Sequence, residues 1–572
     1  MTASERHRSR PLFLLALIAV LISALLLSAR PALVADGETV GGEAPPAEAR
    51  EVVRAYFDSR EQVTWLARWR APWEVDHEAG YLVLDVAPEE AERLEAAGFQ
   101  LETDAVQTAT LHRPQNPLAE QTTGIPGFPC YRTVEETLVT AAAIAADYPT
   151  LAEWVDIGDS WVKRIDPNAG YDIMVLRLTN RARDGVKPRI FIMSALHARE
   201  YATAELNMRF AEYLAENYGE NADVTWLLDY HEIHLLLQAN PDGRKQAEND
   251  DPWWRKNTNE NYCGATSDGR GADLNRNFSF NWGCCGGSSS HACYDTYRGP
   301  SAASEPETQA IEAYLRAHFP DQRGPNYSDA VPSDASGLFI DLHSYSELIL
   351  WPWGHTYDPA PNWERLRTLG RKFAYFNGYN PIQSSNLYKT DGTTESFAYG
   401  ELGLAAYTFE LGTAFHQSCS DFEGKILPDN LRALLYAARV ARAPYRIPSG
   451  PDTVDLSVSS AEHGLRLTAR IDDTRYSNRQ GYEYMQPIQT AIYTVDRPPW
   501  EEGVERHPLF PQDGAFDSTV EMVEAMISPT RLLLGRHTIF VQGQDIHGNW
   551  GAVSAIFVGE EAQRFYLPVL RR

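Results

Sequence analysis

Arg189-Ile190-Phe191-Ile192-Met193-Ser194-Ala195-Leu196-His197-Ala198-Arg199-Glu200 decides how the chain reads. An aliphatic, β-branched run comes first and helix formers from Thr203 to Tyr213 follow, so a buried strand is expected to turn into a helix with His197 and Glu200 at the turn. Residues three apart at a helical turn project to one side, where an imidazole and a carboxylate can meet one ion such as zinc. A catalytic zinc takes three protein ligands and keeps one open position, so this pair needs a third.

A lone His-x-x-Glu pair is common on solvated helix faces. Two further apolar runs change its meaning: Gly337 to Leu342 leads into His343-Ser344-Tyr345, and Tyr407-Thr408-Phe409 leads into Glu410-Leu411. In an open α/β sheet, ligands bind beyond the carboxyl ends of strands, and His197, His343 and Glu410 all fall at such ends.

The set His197-Ala198-Arg199-Glu200, Asn240-Pro241-Asp242-Gly243, Trp254-Arg255-Lys256, Asp273-Leu274-Asn275-Arg276-Asn277, His343-Ser344-Tyr345-Ser346, Leu387-Tyr388 and Phe409-Glu410-Leu411 resembles, in content and order, the M14 zinc carboxypeptidases of the A/B and T type. The resemblance spans about Gly127 to Tyr445 and implies a mixed central sheet flanked by helices. It implies one Zn2+ held by His197, Glu200 and His343, with Glu410 as general base and Arg255 beside the developing oxyanion. Asn275 and Arg276 match the pair that grips a terminal carboxylate, for which a guanidinium fork is suited. Tyr388 matches a mobile lid tyrosine, and Arg199, Ser344 and Tyr345 match contacts to the upstream peptide. Glu395 aligns with the floor of the specificity pocket, where an acidic residue accompanies preference for Lys or Arg. Ser396 and Phe397 replace the Asp-Trp common there, which leaves Asp391 as a competitor for that role. The resemblance also favours a Cys263–Cys293 disulfide, with Cys284–Cys285 and Cys130–Cys419 as companion pairs. Implied partners are peptides or proteins with a free C-terminus and an activating protease.

At 572 residues the chain exceeds one core. A net charge of -27 argues against nucleic acid, which needs the opposite field. Six cysteines without a Cys-x-x-Cys pair favour disulfides in an oxidising compartment over a structural metal; spacing alone permits 15 pairings. Residues 1–35 carry Arg6, Arg8 and Arg10 ahead of the apolar run Pro11 to Ala29, the pattern of an export signal, with a retained membrane anchor as the alternative. Residues 36–49 read as a Gly, Pro, Ala and Glu-rich spacer. Residues 50–103 alternate βαββαβ, the order of a ferredoxin-like α+β domain, and by position resemble the carboxypeptidase propeptide. Residues 104–126 form a linker whose only Lys or Arg is Arg113, residues 127–446 the catalytic domain, and residues 451–572 short strands between turns, expected as an immunoglobulin- or fibronectin-like β-sandwich.

The expected function is a secreted zinc metallocarboxypeptidase removing C-terminal residues, with Lys or Arg preferred. Two rivals stand beside it: a zinc amidase or endopeptidase of cell-wall peptides, and a catalytically inactive secreted binding protein. A clamp such as Arg276 has little use in an endopeptidase, and filled acid/base and metal positions have little use in a binding protein.

Overall fold

The computed structural model describes residues 50–559 except 529–531 and 533–534; the expected signal or anchor and the 36–49 spacer lie outside the described residues. Among the described residues no helix is long and apolar enough to cross a membrane.

Among the described residues nineteen strands form three sheets. Strands β1 (Glu51–Tyr56), β2 (Glu74–Asp76), β3 (Tyr81–Val86) and β4 (Gln100–Thr103) pair antiparallel in the order β2-β3-β1-β4. Helices Arg60–Ala67 and Pro88–Ala96 complete this N-terminal part; the first opens with a reciprocal Ser59/Gln62 capping box. Ala105–Leu111, within the expected linker, is helical, because Asp104 caps Val106 and Gln107 and Thr108 Oγ1 accepts from Val52 N at 2.9 Å.

The central sheet contains β5 (Ala152–Asp159), β6 (Asp172–Leu178), β7 (Arg189–Ser194), β8 (Glu232–Leu236), β9 (Leu338–His343), β10 (Leu348–Trp351), β11 (Asn380–Gln383) and β12 (Ala405–Glu410). Their order is β11-β10-β12-β9-β7-β8-β6-β5, and the sheet is mixed. Strands β12, β9, β7 and β8 run parallel to one another, while β10 joins β12 antiparallel and β6 joins β8 antiparallel. The parallel centre is buried on both faces, which is why β7 and β9 read as near-continuous apolar runs. Helix Tyr201–Asn217 packs on β7 and β9, and helix Thr394–Leu402 on β9 and β12.

The remaining strands are β13 (Asp452–Ala461), β14 (Gly464–Asp472), β15 (Ile488–Val495), β16 (His507–Pro511), β17 (Val520–Ile527), β18 (His537–Asp545) and β19 (Ser554–Val558). The expectation here is two sheets. Two layers are present, β13-β14-β17-β16 and β16-β15-β18-β19, and β16 pairs with both β15 and β17, so they join into one antiparallel order β13-β14-β17-β16-β15-β18-β19 around a single apolar core. Phe540, Ala552 and Val553 of this module belong to the catalytic core itself, and a buried Lys372–Asp452 ion pair (3.1 Å) crosses the seam.

All six cysteines are paired, as Cys130–Cys419, Cys263–Cys293 and Cys284–Cys285.

Candidate metal centre and cleft

The parallel register places the site. Ser194 at the end of β7 lies opposite Leu342, and Glu410 at the end of β12 lies directly opposite His343 at the end of β9. His197 sits in the turn after β7, where Ala195 N donates to Thr203 Oγ1 (3.0 Å) and Ala198 N to the Arg255 carbonyl (3.1 Å). Glu200 is the N-cap of helix Tyr201–Asn217, its carbonyl held by Arg244 Nη2 at 2.8 Å.

Three side chains converge on one point. His197 Nδ1 is 2.8 Å from Glu200 Oε1, His343 Nδ1 is 3.1 Å from Glu200 Oε2, and the two Nδ1 atoms are 3.0 Å apart. All three residues are buried, and their candidate ligand atoms lie within 4.8 Å of one another. The far imidazole nitrogens fit a metal centre as well: His197 Nε2 is 3.1 Å from Asp273 Oδ1 and His343 Nε2 is 2.8 Å from Asp341 Oδ2. A carboxylate at Nε2 holds the proton there and aims the Nδ1 lone pair inward, the arrangement by which metal-ligating histidines are oriented. Two imidazoles and a carboxylate, each so braced, suit zinc with a fourth position left open.

Asp273 and Asp341, whose carboxylates meet the two imidazoles, are positions to which the sequence reading gave no role. A signal existed: Asp341 and His343 are two apart on one strand and therefore share a face.

Electrostatics at the centre follow from burial and these pairings. Burial opposes ionisation of Glu200, but His197 and His343 hold its carboxyl below the usual range. Burial likewise disfavours a charged His343, yet Asp341 and Glu200 keep it well above the ordinary imidazole value. His197 is lowered, by burial first and then by Arg255. Glu410 is pushed up to about 8 by burial, with Glu200 adding to the effect and His343 opposing it.

Arg255 is fixed by Asp273 Oδ2, at 2.8 Å from Nη2 and 3.2 Å from Nε, and its Nη1 lies 3.3 Å from His197 Nδ1. Asn275 Oδ1 accepts from Thr394 N at 3.0 Å. Arg276 is 2 % exposed; Nε donates to the Gly287 carbonyl (3.1 Å) and Nη1 to the Asn275 carbonyl (2.7 Å). Among the described residues no carboxylate lies within ion-pair distance of Arg276. The cleft therefore holds a buried guanidinium anchored only by neutral carbonyls.

Glu395 lines the same cavity, 2 % exposed and without a cationic partner at ion-pair distance among the described residues; burial raises its pKa. A Cβ on Gly354 would stand 3.2 Å from Glu395 Oε1, so the absence of a side chain there keeps the carboxylate clear. Asp391 is engaged elsewhere: it accepts from Gly287 N (2.8 Å), Cys285 N (3.2 Å) and Ser288 Oγ, and thereby braces the loop whose Gly287 carbonyl holds Arg276. Arg199 lies 4.2 Å over the Phe415 ring, against which Tyr345 packs edge-on at 5.0 Å, and Ser344 N donates to Glu200 Oε2 at 3.1 Å.

The cavity enclosed by these groups is only about 60 Å³, because Pro72, Trp73, Glu74 and Val75 of the N-terminal part line it too. Trp73 stacks on Trp253 at 4.9 Å and 5°, Arg70 pairs with Asp295 at 3.1 Å, and His77 Nε2 meets the Leu387 carbonyl at 2.7 Å beside Tyr388.

A family model described as zinc carboxypeptidase matches residues 138–430. A zinc carboxypeptidase of Saccharothrix mutabilis subsp. capreolus is 31% identical over 294 residues, covering 50% of this chain and 62% of that protein. Carboxypeptidase A1 of Rattus norvegicus is 28% identical over 299 residues, with 50% and 63% covered. The match thus spans less than two thirds of either relative. Among solved structures, the carboxypeptidase A from Helicoverpa armigera superposes with a TM-score of 0.55 at 23% identity, covering 69% of this chain and 98% of that one. Thrombin activatable fibrinolysis inhibitor gives 0.54 at 21%, with 69% and 99% covered. At these identities the two structures establish a shared fold.

Proposed function

Because the chain belongs to the zinc carboxypeptidase family, whose cofactor is Zn2+, we propose that it hydrolyses the C-terminal peptide bond of peptides and proteins, with Lys or Arg preferred. His197, Glu200 and His343 hold the ion, which when bound supplies Lewis acidity at the scissile carbonyl and makes the attacking water more acidic. Glu410 takes the water proton and delivers it to the leaving amine. Arg255, immobilised by Asp273, stands by the carbonyl oxygen as it becomes an oxyanion and needs little reorganisation. Arg276 and Asn275 receive the terminal carboxylate, Tyr388 closes over it, and Arg199, Ser344 and Tyr345 contact the chain upstream. Glu395 receives a cationic side chain, which completes a buried carboxylate that otherwise lacks a partner.

One observation carries this reading: the buried Arg276 guanidinium, unpaired by any described carboxylate, opens on the same cavity as the metal triad and Glu410. An endopeptidase has no use for such a clamp. The test is release of a free amino acid from an N-terminally blocked peptide, abolished by a chelator and restored by zinc; equal cleavage of the C-terminally amidated peptide counts against the exopeptidase reading.

Residues 50–103 are read as a propeptide that occupies the cleft, with activation by cleavage in residues 104–126. Three disulfides and the expected leader support export to an extracellular compartment.

A further inference from the structure

A second cavity, of about 270 Å³, lies where the catalytic body meets the C-terminal sheet. Arg439, Arg442, Arg446 and Arg506 line it together with His231, and among the described residues no aspartate or glutamate does. In a chain with 51 Lys plus Arg against 78 Asp plus Glu, this inverts the overall field. Four guanidiniums around one space repel, and such an arrangement favours an anion inside it.

The protein's own contacts compensate part of that charge, through Asp223 beside Arg439 and the more distant Glu501 near Arg442, and leave the rest open. Arg439 is satisfied by Asp223 at 2.6 Å, outside the lining. Arg506 donates Nε (3.1 Å) and Nη2 (2.7 Å) to the neutral Pro499 carbonyl. Arg442 lies 4.3 Å over the Trp500 ring, and its buried Nε has no hydrogen-bond partner. Neither Arg442 nor the exposed Arg446 has a carboxylate within ion-pair distance among the described residues. His231 is fully buried; its Nδ1 faces the Leu227 carbonyl at 3.3 Å, and its Nε2 has no partner. Burial, followed by the charge of Arg442, pushes this imidazole down to about 3, so it is neutral and Nε2 is a bare acceptor.

We propose that this cavity is a binding site for a small carboxylate or phosphate oxyanion of up to about monosaccharide size. The guanidiniums of Arg442 and Arg446 contact the anionic group. The volume sits at the small end of ligand sites, ~300–1,000 Å³. Occupancy ties the catalytic body to the C-terminal sheet, since His231 and Arg442 come from the first and Trp550 from the second.

Calorimetry and thermal unfolding of the full chain test this, with glucuronate and glucose 6-phosphate as ligands and glucose and sodium chloride at matched ionic strength as controls. The expected result is saturable binding of at least one of the two anions, with a raised Tm, and no binding of glucose; the two arms separate a carboxylate from a phosphate site. Arg446→Gln, an exposed change that leaves the fold intact, should weaken binding about tenfold, the scale of one charge-assisted contact, and Arg442→Gln with Arg446→Gln should weaken it further. Peptide hydrolysis should be the same in all variants. Absence of saturable binding, an undiminished affinity in Arg446→Gln, or a chloride control that reproduces the Tm shift overturns the proposal.

Discussion

In the proposed reaction Glu410 and Arg276 act at different moments, and substitution separates them. Glu410 lies opposite His343 in the strand register but is not among the converging ligand atoms, so Glu410→Gln should retain stoichiometric zinc while kcat falls by about 10²–10⁴, the scale of lost general-base catalysis. Metal analysis beside turnover checks both halves, and loss of zinc would make Glu410 a ligand. Arg276→Ala should mainly raise KM for peptides with a free C-terminus, because the carboxylate is gripped before the transition state. An equal loss on amidated peptides argues against the clamp. Glu395 adds a pH signature. Burial raises its pKa, and only the ionised form binds a cationic side chain, so the ratio of kcat/KM for Arg-ending over Leu-ending peptides should rise as pH increases through that raised value. Glu395→Ile should flatten the ratio; a wild-type preference for Leu at every pH removes Glu395 from the specificity pocket.

Strand periodicity explains why the centre was partly legible and where the reading stopped. Strands β7, β9 and β12 are buried on both faces, so their apolar runs stand out and their ends mark the site, whereas β10 is apolar but only four residues long, too short to be told from a helix segment, and β11 is mostly polar. In the C-terminal module β16 carries two prolines, and β17 alternates Met and Glu with smaller apolar residues, a composition that suits a helix as well; neither was readable without its partners. The joining of the two layers through β16 was therefore hidden too. Pairing across the catalytic sheet is equally invisible to sequence, and Asp341 shows the consequence. Its side chain shares the face of His343 and accepts from Thr394 Oγ1 at 2.7 Å, so one strand supplies both a ligand and its orienting carboxylate. Asp341→Asn should weaken zinc binding about 10–100-fold while leaving the fold in place, read by competition with a chelator. Unchanged affinity would make Asp341 a purely structural residue.

On the scale of the whole molecule, the proposed propeptide role has the N-terminal part govern access to the cleft that it lines. Trp73 stacks on Trp253, Arg70 bridges Asp85 and Asp295, and Thr296 Oγ1 donates to the Arg68 carbonyl, so the occupant is held by apolar and charged contacts together. A buried stacked tryptophan is a typical interface anchor, worth about 2 kcal/mol or more, or roughly 30-fold in an equilibrium. The uncut chain should therefore hydrolyse peptides slowly, and Trp73→Ala should raise its activity by about that factor without altering the activity of the cut enzyme. The route to the cut form is constrained by chemistry in the linker. Arg113, its only Lys or Arg, is exposed, but the next residue is Pro114, whose ring removes the N–H and fixes φ at the bond a basic-specific protease would attack. Leu118 is 54 % exposed in the stretch beyond it. Activation should accordingly follow cleavage between Pro114 and Gly124 by a protease that does not require a basic residue, with trypsin leaving the Arg113–Pro114 bond intact. Mass spectrometry of the activated enzyme locates the new N-terminus, and a full chain as active before cleavage as after it would show that residues 50–103 do not restrain the site.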